Sequence, residues 1–564
     1  MESENSAPLQ NLLVFASRAL KIRDRADLKT FLASSDSVNR VRASSFQDLY
    51  FVVKTLGLQN SQDLLILATQ EQRCGFIDLD CWRKDNFHIS AFTEWLAAYI
   101  GCGPEELART ARAIDPNLLA MFLKKNVEVH YLELDEPLEN LQLMLTPDER
   151  FGIEILGKDK EATVAKLVLD AIFRIDPSLG YDLIDRIRWD QCLFLEEQGY
   201  QNKCLRLEEI GFVDYYEALS IYGESRKDLV PRQKKFHGDE EVVEDSSTLP
   251  ALFVASLSPN QYFWQAFQFI SDRQQVRIIG KQLTNLANRL MSVHPIPSRD
   301  LEKVNPVLME MRDTLNLGLE YLTNEDIKPT STVLLENDVQ AIFRVGFSIV
   351  AELRTWANRI LNQGSLRLKD SDNTILESPY KEFIGGLCRQ RPLFFEGLSY
   401  PRSSQYRNFA SLGDVAIARE GLKKLEILSR VFWKFVSGPG PKLKPNWFQN
   451  TNSSLERIEC GKLFVTAALN EILGKTFKHH PLVVKELHAA LRKLTSEVKD
   501  DKVIVNGLIN IGQKQLNKIS SSKIQRNILS VFIESWSRAA ADELSLLIDQ
   551  DSVDPHEIQM VILK

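Results

Sequence analysis

Residues 74–88, CGFIDLDCWRKDNFH, hold the densest set of metal-ligating and acid–base side chains in this sequence. Cys74, Cys81 and His88 recur at steps of seven, with Asp78, Asp80 and Asp85 between them. Two metal chemistries are conceivable here. Zinc takes four nitrogen or sulfur ligands, but this spacing matches no common zinc module and no fourth soft donor lies nearby. A calcium loop would begin at Asp78 and Asp80, yet Trp82 falls at the fifth position, Arg83 at the glycine position and Ile89 at the twelfth. An unbroken helix would align the three soft donors, but Gly75 and the Asp-Leu-Asp run predict a break. The stretch therefore reads as a packed turn between two helices. Gly75 ends the first helix, Phe76, Leu79, Trp82 and Phe87 fill the junction, and Asn86 or a neighbour caps the next helix. No metal is expected here, and Arg83, Lys84 and Asp85 are left as an exposed surface open to a partner.

The second histidine cluster, FKHHPLVVKELHAALRKL, behaves similarly. His480 precedes Pro481 at a helix entrance, and His488 lies roughly 12 Å further along the axis at the usual helical rise, too far to share an ion. A solvated helix end is the expectation for His479 and His480. Nucleophile elbows, phosphate loops, dinucleotide fingerprints and the H-E-x-x-H pair are all missing. Cys388 sits between glycines and arginines without an identifiable base, so a buried structural thiol is expected. Lys514, Lys518, Lys523 and Arg526 lack interleaved aromatics and read as a solvated helix face. No catalytic residue and no cofactor is assigned from the sequence.

The elements that carry these residues are mostly helices. In SSFQDLYFVVKTLG, Leu49, Val52, Val53 and Leu56 follow the spacing of one buried helical face, Ser45 and Asp48 form a capping box, and Gly57 stops the helix. A helix is predicted over 61–73, and another carries Phe92, Trp95, Leu96, Tyr99 and Ile100 on one stripe. Pro104 opens a further helix with two acids in its first turn. IDPNL at 114–118 and IDPSL at 175–179 repeat one helix start, with Asp115 and Asp176 as caps. Such recurrence suggests an α-solenoid. Between these echoes, VEVHYLELDE alternates, and 141–157 reads as two short strands around a Pro-Asp turn. In the second half, a helix over 336–364 is expected to be capped by Asn337 and closed by Gly364. Its interior Gly346, like Gly318, costs about 1 kcal/mol of helix propensity, which close packing of a neighbouring helix would offset.

Composition sets the frame. At 564 residues the chain is too long for one core, and 44% hydrophobic with 26% charged residues is ordinary for a soluble globular protein. A net charge of −7 gives no general attraction for nucleic acid or anionic membrane. Seven cysteines, an odd number, fit a reducing cytoplasm better than a disulfide framework. No signal peptide and no transmembrane run is read. The predicted fold is mainly α. A helical lead-in covers 1–40, and a helical-repeat, solenoid-like domain covers 41–225, with a small β-hairpin near 127–157. A charged linker at 226–248 then leads to an all-helical region, 249–564, subdivided near 365–450.

GFIDLDCWRKDNF with the following EWL, and LNLGLEYL with FRVGFS, resemble an uncharacterised bacterial family of long, mostly helical proteins, a domain of unknown function. The resemblance covers most of the chain from about residue 40 and brings no activity with it. The helix-pair rhythm of 45–190 is also similar to the superhelical N-terminal domain of MgtE-type magnesium transporters, without their transmembrane helices. The expected function is a non-enzymatic cytoplasmic scaffold or adaptor with a protein partner, no nucleic acid and no assigned small-molecule ligand. The alternatives are a magnesium-responsive regulator with acidic sites at helix starts such as Asp115 and Asp176, or an enzyme whose residues meet only in three dimensions. A deep pocket with clustered titratable groups would favour that last reading.

Overall fold

Acceptor side chains at helix entrances and glycines in the left-handed region at helix exits divide this chain into many short helices. In the computed structural model, the described residues are 22, 24–44, 46–132, 142–208, 210–223, 253, 257–258, 261–294, 304–368, 373–400, 402–436, 450–454, 457–495, 501–519, 522–548 and 554–564. Ser45, the linker expected at 226–248 and the Pro-Gly stretch 437–447 lie outside them. The chain is mainly α-helical and divides into two compact units, Met1–Ser348 and Ile349–Lys564. No helix among the described residues is long and apolar enough to cross a membrane.

The first unit opens with α1 (Arg25–Leu32), α2 (Ser37–Ala43), α3 (Phe46–Leu56) and α4 (Gln62–Leu67), Gly57 ending α3 at φ 84°. α5 (Gln70–Asp80) begins with a capping box between Thr69 and Gln72. The helix predicted over 61–73 is therefore two helices, because the box satisfies amides that a continuous helix would have bonded internally. α5 also runs straight through Gly75. This glycine does not end the helix: the Phe46 ring occupies its missing side chain's place, with Cδ2 2.4 Å from where a Cβ would stand.

The turn lies further on, where β1 (Trp82–Arg83) pairs with β2 (Asn86–Phe87) around Lys84 and Asp85, Lys84 taking φ 59°. Asn86 is thus a strand residue rather than a cap. The N-cap of α6 (Ile89–Ile100) is His88, which makes no side-chain capping bond. Phe92, Trp95, Leu96 and Tyr99 are fully buried as their stripe predicts, and the Phe76 and Trp95 rings stack at 5.3 Å.

α7 (Pro104–Ala113) and α8 (Pro116–Asn126) follow, with Asp115 accepting from the Asn117 amide. The β insertion is larger than a hairpin. β3 (Val127–Tyr131), β4 (Leu143–Leu145) and β5 (Phe151–Ile155) form a three-stranded antiparallel sheet in the order β3-β5-β4. The alternating run that begins at Val127 provides the extra strand. α9 (Lys160–Ile175), α10 (Pro177–Trp189) and α11 (Cys192–Glu208) complete this region, Asp176 capping α10 at the Leu179 amide.

The rest of the first unit contains α12 (Tyr215–Leu219), α13 (Tyr262–Gln268), α14 (Arg273–Val293), α15 (Val304–Leu322), α16 (Thr330–Glu336) and the start of α17 (Val339–Gln363). The cap of α17 is Asp338, which accepts from the Gln340 amide at 2.7 Å. Asn337 instead closes α16 by donating to the Val333 carbonyl. Gly318 and Gly346 meet at one crossing of α15 and α17. A Cβ on Gly346 would stand 2.1 Å from the Thr314 carbonyl oxygen and 3.0 Å from the Gly318 nitrogen. The propensity cost of both glycines is offset by backbone-to-backbone approach, as expected.

The second unit contains α18 (Tyr380–Leu387), α19 (Leu412–Phe435), α20 (Cys460–Ile472), α21 (Val484–Leu494), α22 (Asp501–Ile519) and α23 (Lys523–Leu544). It is not wholly helical: β6 (Phe394–Phe395) pairs with β7 (Tyr406–Arg407). Phe432, Phe435 and Phe464 are fully buried in its core, beside a nearly buried Trp536. His480 is exposed, but His479 is only 1% exposed and faces the Trp433 ring at 6.4 Å. The solvated reading fails for His479 because this aromatic wall encloses it. Burial pushes its imidazole down to about 4. Cys388 is half-buried at the end of α18, its thiol raised by burial. Lys514 pairs with Glu471 at 3.0 Å, and Arg526 donates to Asn517.

Candidate functional site

α3 and α11 carry two stripes with the same spacing. On α3, Leu49, Val52 and Val53 enter the core, while Gln47, Tyr50, Phe51 and Lys54 line the opposite side. On α11 the stripe is Tyr200, Lys203, Cys204 and Leu207. Both follow the i, i+3, i+4, i+7 rule that puts side chains on one helical face. The two stripes face a common cavity of about 300 Å³ in the first unit. Trp82, Arg83 and Lys84 of the β1-β2 turn form part of its rim, and Phe212, Val213 and Tyr215 form another. The C-terminal end of α14, from Met291 to His294, closes the lining together with Val304. A cavity of this size is at the lower end of small-molecule sites and suits a one- or two-ring ligand.

Two buried carboxylates at the end of α5 hold the walls in place. Asp80 accepts from Lys54 Nζ at 2.8 Å, Tyr50 Oη at 3.1 Å and Trp95 Nε1 at 2.7 Å. Asp78 accepts both Arg206 Nε at 2.7 Å and Nη2 at 2.9 Å, a bidentate pair that ties α11 to α5. Arg206 also reaches Asp115 at 3.2 Å, and Asn202 donates to the same carboxylate. The β1-β2 turn is fixed to α11 by the Phe87 amide, which donates to Glu196 Oε1 at 3.0 Å.

Lys203 is the distinctive group. Its Nζ lies 5.3 Å from the Trp82 ring centroid and 5.2 Å from that of Tyr200, and these rings are themselves 5.4 Å apart. Among the described residues, no carboxylate stands within ion-pair distance of it. Burial lowers its amine below the ordinary lysine range, with the nearby Cys204, Asp78 and Asp214 pulling the other way. Tyr200 donates to Asp214 at 2.6 Å, and burial together with that carboxylate raises its phenol. Burial also raises the Cys204 thiol, keeping it protonated. At the rim, Lys84 Nζ lies 4.6 Å over the Tyr215 ring. Arg83 and Lys84 likewise form no ion pair among the described residues. The α14 end of the cavity is braced by His294, 2.9 Å from Glu310, which also accepts from Tyr222 at 2.6 Å.

The structure separates the residues of the opening motif. Cys74 donates to Asp78 and its thiol is pushed up to about 12, first by burial and then by that carboxylate. Cys81 is fully buried, with its thiol raised well above the ordinary range. His88 Nδ1 is 3.0 Å from Ser90 Oγ. Among the described residues, Cys74, Cys81 and His88 do not come together as a ligand group. The other half of the motif enters the site: Asp78 and Asp80 anchor it, while Arg83 and Lys84 border it. Asp85 is exposed at the turn tip. Asp115 and Asp176, the acidic helix starts, are taken by Arg206 and Arg112 respectively. Lys203, Tyr200 and Tyr50 belong to no compact motif that marks them as site residues in the sequence. Their signal was present as a periodic stripe on each helix, mixing aromatics and lysine where a solvated face would be uniformly polar.

No curated protein and no solved structure matches this chain. The model of a family of unknown function, DUF6178, matches residues 4–564, and the chain belongs to that family.

Proposed function

We propose that the first unit binds a small anionic molecule with an aromatic or otherwise planar body. One observation carries this reading: a lysine amine without an ion-pair partner among the described residues, seated over two aromatic rings in a cavity of ligand size. A cation in that position stacks on the ring faces and needs a counter-charge, which an anionic head group would supply. Tyr50, Phe51, Trp82 and Phe212 offer apolar surface for the body of the ligand, and Arg83 and Lys84 give the mouth a positive rim that steers anions inward.

A matched panel tests the reading by thermal unfolding. Benzoate and naphthoate raise the unfolding midpoint of the full chain, whereas benzyl alcohol and benzylamine do not, and Lys203→Met loses the effect. Equal stabilisation by neutral and anionic rings, or a full effect in Lys203→Met, would refute it.

A second reading, a protein-interaction adaptor, is favoured by a different observation. Trp189, Leu193 and Phe194 are 74%, 78% and 54% exposed where α10 meets α11, and clustered exposed apolar side chains mark interaction sites. Arg83, Lys84 and Asp85 would add charged contacts at the turn. A cross-linked pull-down in which Trp189→Ser/Phe194→Ser loses a reproducible protein partner tests it; a partner unaffected by the change removes it.

A further inference from the structure

The β3-β5 ladder places two carboxylates directly opposite one another. Glu128 on β3 is the register partner of Glu154 on β5. His130 follows Glu128 by two residues, so alternation along the strand puts it on the same face. Like charges on directly opposed residues destabilise a sheet pair, and the His130 imidazole lies at hydrogen-bond distance from Glu154. His130 Nε2 lies 3.2 Å from Glu154 Oε2, and the donor atoms of Glu128, His130 and Glu154 all lie within 4.8 Å of one another. His130 and Glu154 are half-buried and Glu128 is exposed, so a cation could enter from solvent.

We propose that these three side chains form a binding site for a divalent transition-metal cation of the zinc class. Tetrahedral zinc with bonds of 2.0–2.1 Å separates neighbouring ligand atoms by about 3.3 Å, close to the His130–Glu154 separation already present. Modest rotation of the exposed Glu128 side chain brings in the third ligand. The imidazole distinguishes this donor set from the all-oxygen sets that magnesium and calcium prefer. Three protein ligands leave a fourth position for water, the arrangement of an open site. The scaffold is firm: on the other face of the sheet, Phe151 and Ile153 are buried in the core of the unit, and ligands on paired strands hold their geometry better than ligands on loops. The ordinary alternative is a plain His130–Glu154 ion pair beside a solvated Glu128.

Zinc binding by the reduced full chain, measured by competition with a chromophoric chelator, separates the two. The expected result is one micromolar site whose affinity drops by about tenfold or more in each of Glu128→Gln, His130→Gln and Glu154→Gln, as loss of a ligand requires. The proposal is overturned if wild type shows no micromolar site, or if the variants bind zinc as tightly as wild type, which would place the ion on cysteines or elsewhere. Glu128→Gln changes an exposed side chain and keeps the fold, so its result stands even if a His130 variant misfolds. Metal-free Glu128→Gln should also unfold at or above the wild-type midpoint, since the opposed charge is gone, while zinc raises that midpoint less than it does in wild type. A zinc-induced rise as large in Glu128→Gln as in wild type would equally overturn the proposal.

Discussion

Replacing Asp80 with alanine removes a carboxylate shared by three donors, and its cost can be worked out from the structure. The side chains of Lys54 and Asp80 are only 9% and 3% exposed, with Nζ and Oδ2 2.8 Å apart. Breaking such a pair from one side leaves a buried charge without its counter-ion, at about 3–5 kcal/mol. The Trp95 N–H and Tyr50 O–H also lose their acceptor, and a stranded buried donor costs about 1–3 kcal/mol. Lys54 borders the cavity, so water can solvate the ammonium and absorb part of these penalties. We expect Asp80→Ala to lose about 4 kcal/mol, and Asp80→Asn, which keeps an acceptor for Trp95 but not the charge, about 2–3 kcal/mol. The assay is urea unfolding followed by circular dichroism, read on the transition that the substitution shifts. Adding Lys54→Met to Asp80→Ala should recover at least about 1.5 kcal/mol, because the ammonium that made the cavity unfavourable is gone. The reasoning is refuted if Asp80→Ala costs under about 1 kcal/mol, or if Lys54→Met deepens the loss.

Gly346→Ala should destabilise by about 1–3 kcal/mol through overpacking against the Thr314 carbonyl, even after the gain of about 1 kcal/mol in helix propensity. A stabilised variant in the same urea assay would show that the α15–α17 crossing is looser than described. His479 titrates near its ordinary 6.5 when unfolded but at about 4 when folded. The unfolded chain therefore binds the extra proton first, and stability falls as pH drops from 6.5 towards 4, by up to about 3 kcal/mol. Unfolding midpoints across that range should decline more steeply for wild type than for His479→Phe; parallel profiles would contradict the burial assigned to this ring.

Much of the helical framework was legible because its signals are local. Asp115, Asp176, Pro104 and Gly57 act within one turn of the chain, and each sits where its chemistry predicts. Two of the errors came from tertiary effects. Gly75 looks like a helix end in isolation, and only the Phe46 ring, distant in sequence, explains a glycine in mid-helix. His479 looks solvated beside His480 and Lys478 until Trp433 covers it. The site was hidden for a related reason. Its chemistry comes from α3, α5 and α11, and the pairing of Asp78 with Arg206 spans 128 residues. Compact motifs bring out Asp78 and Asp80, but only as rejected calcium-loop positions within a turn. α11 shows no strongly hydrophobic face of its own, and Lys203 becomes unusual only once Trp82 lies against it.

The account rests on Lys203 being an amine without an ion-pair partner among the described residues, set over two rings in a pocket that attracts anionic rings. The most direct measurement is limited labelling of the full chain with pyridoxal phosphate, itself an aromatic anion bearing an aldehyde, followed by borohydride reduction and peptide mass mapping. At neutral pH the label should appear first on Lys203, because its amine carries less bound proton than ordinary surface lysines and the ring and phosphate match the cavity; naphthoate should protect it. A label spread over exposed lysines with Lys203 unmodified, or labelling of Lys203 indifferent to naphthoate, would contradict the central claim.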